Sequence, residues 1–365
     1  MAIKLATGKE FFKDIINRAK QGRNPFSIMF ELTYKCNFRC PHCYLSGTPE
    51  ESRELNKNQI FSILDQLKDL QVYHIGFTGG EALLREDIFD ILDYTNRCGF
   101  RFTLLTNGYL IDEKVADRLK KNNVNKITIT FNSITPQGFS RITQVEDSFQ
   151  KVKGAIEILR RKDIQVKIRS TSMKLNSDEL VKISQYARSL NIPYSIDEEV
   201  LPSRNGCDIW ASKYSLTNKE LYEIKKTVYP EMFRNEWEKE QVKSKRKIDR
   251  MFNCGVGMTF FSITPYGKMN FCNEINYPGY DILAEGVSVC WEKLKKEIDN
   301  FNNIEDFICR ECELLKYCDW CPGRSYIETG TFNNCSEYFK NMAIEKKTQM
   351  STEGRHRLSQ REKHR

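Results

Sequence analysis

Cysteine placement constrains this chain more than any other feature. Thirteen cysteines occur in 365 residues; three sit in the short stretch Cys36-Asn-Phe-Arg-Cys40-Pro-His-Cys43, and eight more lie between Cys254 and Cys335. The first twenty residues interleave charges with apolar side chains and lack the continuous apolar centre of an export signal, which points to the cytoplasm. Disulfides are rare in that reducing compartment, so the cysteines point to metal ligation or redox chemistry. Histidine-rich zinc or non-haem iron chemistry is disfavoured, because only His42 and His74 of the four histidines lie outside the C-terminal tail.

From Phe26 to about Val200 short β-branched or aromatic runs alternate with amphipathic stretches. The strand candidates are Ser27 to Leu32, His74 to Phe77, Phe102 to Leu105, Lys126 to Phe131, Val166 to Arg169 and Tyr194 to Asp197. Helical spacing recurs between them, in Ile60, Ile63, Leu64, Leu67 and Leu70, in Phe149, Val152, Ile156 and Leu159, and in Leu180, Ile183, Ala187 and Leu190. Asn176 or Ser177 is the expected N-cap of that last helix. Six β/α units in a row predict a parallel sheet with helices outside, either a partial barrel or a doubly wound open sheet.

The expected organisation is an N-terminal extension (1–25), a partial (β/α)6 barrel (26–202) and a charged helical bridge (203–250) with helices at Leu221 to Val228 and Glu236 to Lys247. A loop-rich, cysteine-rich domain (251–340) and a basic, disordered tail (341–365) follow. The net charge of +8 is mixed along the chain apart from the tail, which gives little support to nucleic-acid binding. No apolar run approaches the roughly 18 residues that a bilayer span needs, so no membrane association is expected.

Three thiolates at the spacing of Cys36, Cys40 and Cys43 can each anchor one iron of a cubane and leave the fourth open. The alternative is a zinc knuckle, which needs a fourth ligand that His42, lodged between two of the cysteines, is badly placed to supply. Cys-x3-Cys-x2-Cys with Tyr44 next to the last cysteine resembles the signature loop of the radical SAM superfamily. The resemblance implies a [4Fe-4S] cluster whose open iron is chelated by S-adenosylmethionine, and cleavage of that sulfonium to methionine and a 5′-deoxyadenosyl radical. Thr78-Gly79-Gly80-Glu81 resembles the family's element for the methionine amino group, with Glu81 as the expected carboxylate. Thr106-Asn107-Gly108 matches a position near the nucleoside. Asn132 stands where family members often carry an acid that contacts the ribose; it can hydrogen-bond a hydroxyl but cannot act as a base. Arg169 is a candidate for the methionine carboxylate, or an exposed strand arginine.

Cys254, Cys272, Cys309-x2-Cys312-x5-Cys318-x2-Cys321 and Cys335 together resemble the SPASM extension, which holds two auxiliary iron–sulfur clusters. A hairpin turn at Pro265-Tyr266-Gly267-Lys268 would return Cys272 towards Cys254. By the resemblance, Cys254, Cys272 and Cys321 ligate the first auxiliary cluster, and Cys309, Cys312, Cys318 and Cys335 the second. Two residues rather than three precede Cys321, and no extra cysteine follows Cys254 closely. The first cluster therefore has an open iron or borrows Cys207 or Cys290. Cys98, Cys207 and Cys290 otherwise read as packed free thiols, and a pair of zinc ribbons is the alternative for the whole array.

SPASM-bearing enzymes commonly act on peptides. The implied function is thus an oxidoreductase that matures a ribosomally made peptide or protein, by a thioether or carbon–carbon crosslink or by oxidation. An electron donor such as ferredoxin or flavodoxin would be its partner, and leader recognition would fall to a separate leader-binding protein or to the barrel itself. The other readings are a sulfatase-type maturase, a haem-precursor oxidase, a zinc-stabilised binding module and an iron–sulfur electron carrier.

Overall fold

Six parallel strands run in chain order across two thirds of a nine-stranded sheet in the computed structural model of the chain, which describes residues 8–45, 54–204, 209–231, 250–302 and 307–362. They are β1 (Ser27–Glu31), β2 (His74–Thr78), β3 (Arg101–Thr106), β4 (Lys126–Thr130), β5 (Val166–Thr171) and β6 (Tyr194–Asp197). The helices Lys57–Asp69, Ile88–Arg97, Glu113–Lys121, Ser148–Arg161 and Leu180–Ser189 lie between them in the chain. The order β6-β5-β4-β3-β2-β1 never reverses. Right-handed crossovers that always step the same way keep their helices on one face, so the sheet is that of a partial barrel and not a doubly wound sheet, whose order turns back at a switch point.

Register places large side chains beside one another inside. Phe30 pairs with Phe77, and Phe77 with Leu104. Phe30, Phe77 and Phe102 are fully buried. The helices supply matching apolar stripes: Ile60, Ile63, Leu64 and Leu67 of Lys57–Asp69 are all inside. Asn56 and Gln59 close a capping box at its start, satisfying two of the otherwise orphaned N–H groups.

Four features differ from the sequence expectations. The sheet does not stop at the barrel: β7 (Phe260–Ile263) pairs parallel with β1, and β8 (Lys268–Asn270) and β9 (Pro278–Asp281) extend it antiparallel. The start of the cysteine-rich region is therefore welded to the barrel's first strand. β9 opens on Pro-Gly, which argues against a strand by composition but is tolerated at a sheet edge, where a missing N–H leaves no neighbour unpaired. Asn176 is not a helix cap; it is fully buried, and its amide donates to the carbonyls of Asn132 and Thr171 while the helix begins at Leu180. The tail is helical from Glu337 to Glu362, because Phe339 and Ala343 have a core to bury against. The expected helix Glu236 to Lys247 and Cys207 lie outside the described residues. The hairpin stands as expected, with Gly267 at φ +74°. Among the described residues no helix is long and apolar enough to cross a membrane.

Candidate active site

All six barrel strands end on one rim, and a cavity of about 1000 Å³ opens there. Its wall includes Cys36, Cys40 and Cys43, then Gly79 and Gly80 after β2, Thr106 and Asn107 at the end of β3, Asn132 after β4, Arg169 on β5 and Asp197 on β6. A parallel sheet puts the carboxyl ends of its strands on one side, which is why motifs far apart in sequence converge.

Packing against strand β2 positions the cysteine loop. Gly80 N–H donates to the Thr33 carbonyl at 2.7 Å, and Glu81 N–H to that of Lys35 at 2.8 Å. A Cβ on Gly79 would stand 2.2 Å from the Thr33 oxygen, and one on Gly80 2.3 Å from that of Lys35. Both glycines are thus required by the backbone that leads into Cys36. Within the loop, Phe38 N–H donates to the Cys36 sulfur, and the Asn107 amide donates to Asn37 at 2.8 Å and lies 3.8 Å from the same sulfur. Burial pushes the thiols of Cys36 and Cys40 upward; Cys43 adds to the cost of ionising both, and Cys36 to that of Cys40.

Glu81 has three donors of its own within the fold. It is fully buried, and its carboxylate accepts from Thr106 Oγ1 at 2.8 Å, Asn107 N–H at 2.7 Å and Leu83 N–H at 3.1 Å. Burial raises its pKa against the pull of those three donors. It is a strut between the ends of β2 and β3. Asn132 likewise holds β4 to β5 by accepting from Thr171 N–H at 2.9 Å. Arg169 is half-exposed on the cavity wall and ion-paired with Asp197.

His42 lines the cavity, and burial lowers its pKa to about 4, so the ring is neutral. Its Nδ1 and the Asn37 Nδ2 are buried without a partner among the described residues, two polar atoms within the cysteine loop itself. Among the described residues no three His, Cys, Asp or Glu side chains draw close enough to hold a single metal ion. A cubane asks for less, since each thiolate takes a separate iron at its own corner. The loop's donor set and its orphaned polar atoms fit such a cluster.

The seven C-terminal cysteines fall into two groups. Cys309, pushed up to about 12 mainly by burial, is also raised by Cys335, Cys318 and Cys312. Burial is the main cause for Cys272 as well, but there the neighbouring thiols are Cys321 and Cys254. These are the two sets that the resemblance implies. None of the twelve described cysteines is in a disulfide. Cys98 caps the helix Ile88–Arg97, and Cys290 is fully buried in the core; neither shares electrostatic contact with either set.

Several residues at the site went unread in the sequence. Arg204 is the foremost. Its side chain is 1% exposed and ion-paired at 2.7 Å with Glu31, also 1% exposed. It donates to Tyr34 OH at 2.6 Å and to the Asn273 carbonyl, and its guanidinium lies 4.9 Å from the Tyr44 ring centroid. One side chain thus touches strand β1, the residue after Cys43 and the residue after Cys272. Nothing local to Pro202-Ser203-Arg204 signals this. Glu198, Glu199 and Glu274 line the cavity too, as do Met342, Lys346 and Gln349 of the last helix. The acidic run Asp197-Glu198-Glu199 directly after a strand was a readable signal; the helix residues carried none.

The fold is an α/β partial barrel with three thiols at the mouth of its strands. Residues 30–187 match the Radical SAM superfamily. They form a radical SAM domain. It is 24% identical over 334 residues to the AdoMet-dependent heme synthase of Methanosarcina barkeri, covering 84% of this chain and 94% of that one. It is 24% identical over 339 residues to the PqqA peptide cyclase of Gluconobacter oxydans, covering 85% and 89%. Its fold is that of Streptococcus suis SuiB, solved bound to the precursor peptide SuiA: TM-score 0.68 and 16% identity, over 92% of this chain and 82% of that one.

Proposed function

We propose that the chain is a radical SAM peptide maturase: it cleaves S-adenosylmethionine at a [4Fe-4S] cluster held by Cys36, Cys40 and Cys43 and installs a crosslink or an oxidation in a ribosomally made peptide. The observation that carries this reading is the cavity, whose wall runs from those thiols across six strand ends to Asn273 and Glu274 beside Cys272. When bound, the cluster supplies the electron that splits the sulfonium, and the resulting 5′-deoxyadenosyl radical removes hydrogen from an unactivated C–H bond.

The chain's own residues bind, orient and shield. The ammonium group of the cosubstrate falls to backbone carbonyls at Gly79 and Gly80 and to the acceptor capacity that the Glu81 carboxylate keeps beyond its three donors. Arg169 keeps donors beyond those that Asp197 takes, enough for a carboxylate. Asn107 and Thr106 face the nucleoside end, and Asn132 presents its remaining amide capacity to the ribose. A volume of about 1000 Å³ is at the upper end for a small-ligand site, leaving room for peptide beside the cosubstrate. The PqqA cyclase and SuiB–SuiA likenesses support a peptide.

The heme synthase likeness favours a second reading, a haem-precursor oxidase. Charge argues against it: the wall carries Asp197, Glu198, Glu199, Glu274 and Asp319 against Arg169, Lys225 and Lys346, a poor match for a macrocycle edged with carboxylates. We assign the C-terminal cysteines to two auxiliary SPASM clusters, one on Cys254, Cys272 and Cys321 and one on Cys309, Cys312, Cys318 and Cys335. The setting is the cytoplasm, the electron donor a ferredoxin or flavodoxin, and leader recognition falls to the barrel or a separate protein.

Co-expression with candidate short peptides under anaerobic conditions tests the reading by mass spectrometry. A peptide mass change that requires Cys36, Cys40 and Cys43, with 5′-deoxyadenosine released, is the expected result. Anaerobic protein that holds zinc and no iron, or that changes a haem precursor and no peptide, would overturn it.

A further inference from the structure

We propose that the N-terminal end of the barrel, where Arg101, Lys126 and Lys167 share the inner face of the sheet, binds an acidic segment of the peptide substrate. The inference rests on the peptide-maturase reading above and names the part of the barrel that performs leader recognition.

Alternation along the strands puts the three cations inside. Side chains two apart on a strand share a face, and Leu105 of β3, Thr128 of β4 and Arg169 of β5 line the cavity. Arg101 lies four residues before Leu105, Lys126 two before Thr128 and Lys167 two before Arg169, so all three share that concave face at the end opposite the cysteine loop. Pairing fixes their spacing. Thr103 is in register with Lys126 and Thr128 with Lys167, so each cation is one strand across and two residues along from the last, about 8 Å per step at ordinary strand dimensions. His74, in register with Arg101, supplies no counter-charge, since its ring is spent on the hydroxyls of Ser27 and Thr103.

Nothing in the fold neutralises this row. None of the three side chains makes an ion pair or a hydrogen bond among the described residues, and Arg101 is exposed while Lys126 and Lys167 are half-buried. Burial lowers the Lys167 pKa and Lys126 and Arg169 lower it further, with Asp197, itself paired with Arg169, as the opposing carboxylate. Like charges gathered without counter-charges work against the compact state. Lysines on the outer helices are instead spent on carboxylates, Lys57 on Asp90 and Lys162 on Glu113 and Asp117. Shape and spacing choose the occupant. A concave face a few strands wide admits an extended segment and not the convex surface of a folded partner. Acidic side chains two apart on an extended chain stand about 7 Å from each other, which matches the steps of the row, whereas a single phosphate is too compact to span them.

The test uses full-length protein reconstituted anaerobically with iron and sulfide, and a fluorescently labelled hexaglutamate peptide as the probe, followed by anisotropy at low salt. Binding is expected for hexaglutamate and not for hexaglutamine. Lys126→Gln/Lys167→Gln should weaken it about tenfold, while Lys114→Gln/Lys121→Gln, which removes two exposed lysines from the outer helix Glu113–Lys121, should leave it unchanged. Should Lys126→Gln/Lys167→Gln melt well below the parent, the exposed Arg101→Gln decides instead: weakened binding supports the site and parental binding overturns it. Equal losses in the inner and outer variants, no binding to the parent, or displacement of hexaglutamate by equimolar inorganic phosphate would also overturn it. Failure of the maturase reading shows separately, as hexaglutamate binding in a protein that changes the mass of no peptide, and would overturn the assignment of this site to a substrate.

Discussion

Arg204 and Glu31 are best weighed as a pair, because burying either charge alone costs several kcal/mol while the two together nearly balance. Burial works against the Arg204 charge, yet Glu31 holds it firmly protonated. Arg204→Met leaves Glu31 uncompensated beneath the cluster loop and is expected to cost about 3–5 kcal/mol in denaturant unfolding. The double variant Glu31→Gln/Arg204→Met should recover a large part of that loss; a double variant no better than the single would show that the guanidinium's other contacts dominate. Gly80→Ala acts on the same loop from below. Its Cβ would meet the Lys35 and Tyr34 carbonyl oxygens at 2.3 and 2.7 Å, so the backbone must move. Iron analysis should find the three-cysteine site depleted and the C-terminal iron retained, with SAM cleavage lost. The cysteine sets could be proposed from sequence because ligand spacing is local. The three donors to Glu81 were not legible because sequence names a carboxylate without saying what it faces, and Arg204 was invisible because its partners are up to 173 positions away.

At the level of elements, alternation and helical stripes located all six barrel strands to within a residue or two, since each buries its own face whatever its neighbours do. Caps were less legible. Asn56 and Thr217 fill capping boxes, but Asn176, of an equally suitable type, is spent on tying β4 to β5. One polar ladder lay outside any local pattern: His74 on β2 bridges Ser27 on β1 and Thr103 on β3, at 3.0 Å to each. Burial lowers the His74 pKa below 6.5, and Lys126 and Arg101 add to the shift. A histidine held neutral in the fold binds fewer protons than in the unfolded chain, so its contribution to stability is present above pH 6.5 and lost as pH falls towards the folded pKa. The melting temperature should accordingly drop more between pH 7.5 and 5.5 (~2 units, spanning the usual histidine pKa) in the parent than in His74→Gln. Equal drops would place the pH sensitivity elsewhere.

Across the whole molecule, the boundary expected near residue 250 is crossed by the sheet, and the tail expected to be idle walls the cavity. Both outcomes have one cause: pairing of β7 with β1, and docking of the helix Glu337–Glu362 on Asn218–Val228, are long-range contacts that leave no periodic trace. The helix's first turns pack inward: Phe339 and Ala343 are buried, while Ile344 reaches solvent. Its contribution to the cavity is Met342, Lys346 and Gln349, opposite the strand ends. A wall in that position keeps water from a reactive intermediate, a role that binding alone does not require. Ending the chain after Asn341 should therefore leave the iron content and SAM cleavage largely intact, while peptide product per 5′-deoxyadenosine released falls several-fold. If product and deoxyadenosine fell together, the helix would be acting on the fold or on SAM binding; if neither fell, the peptide would be enclosed by the strand ends and the helix Asn218–Val228 alone.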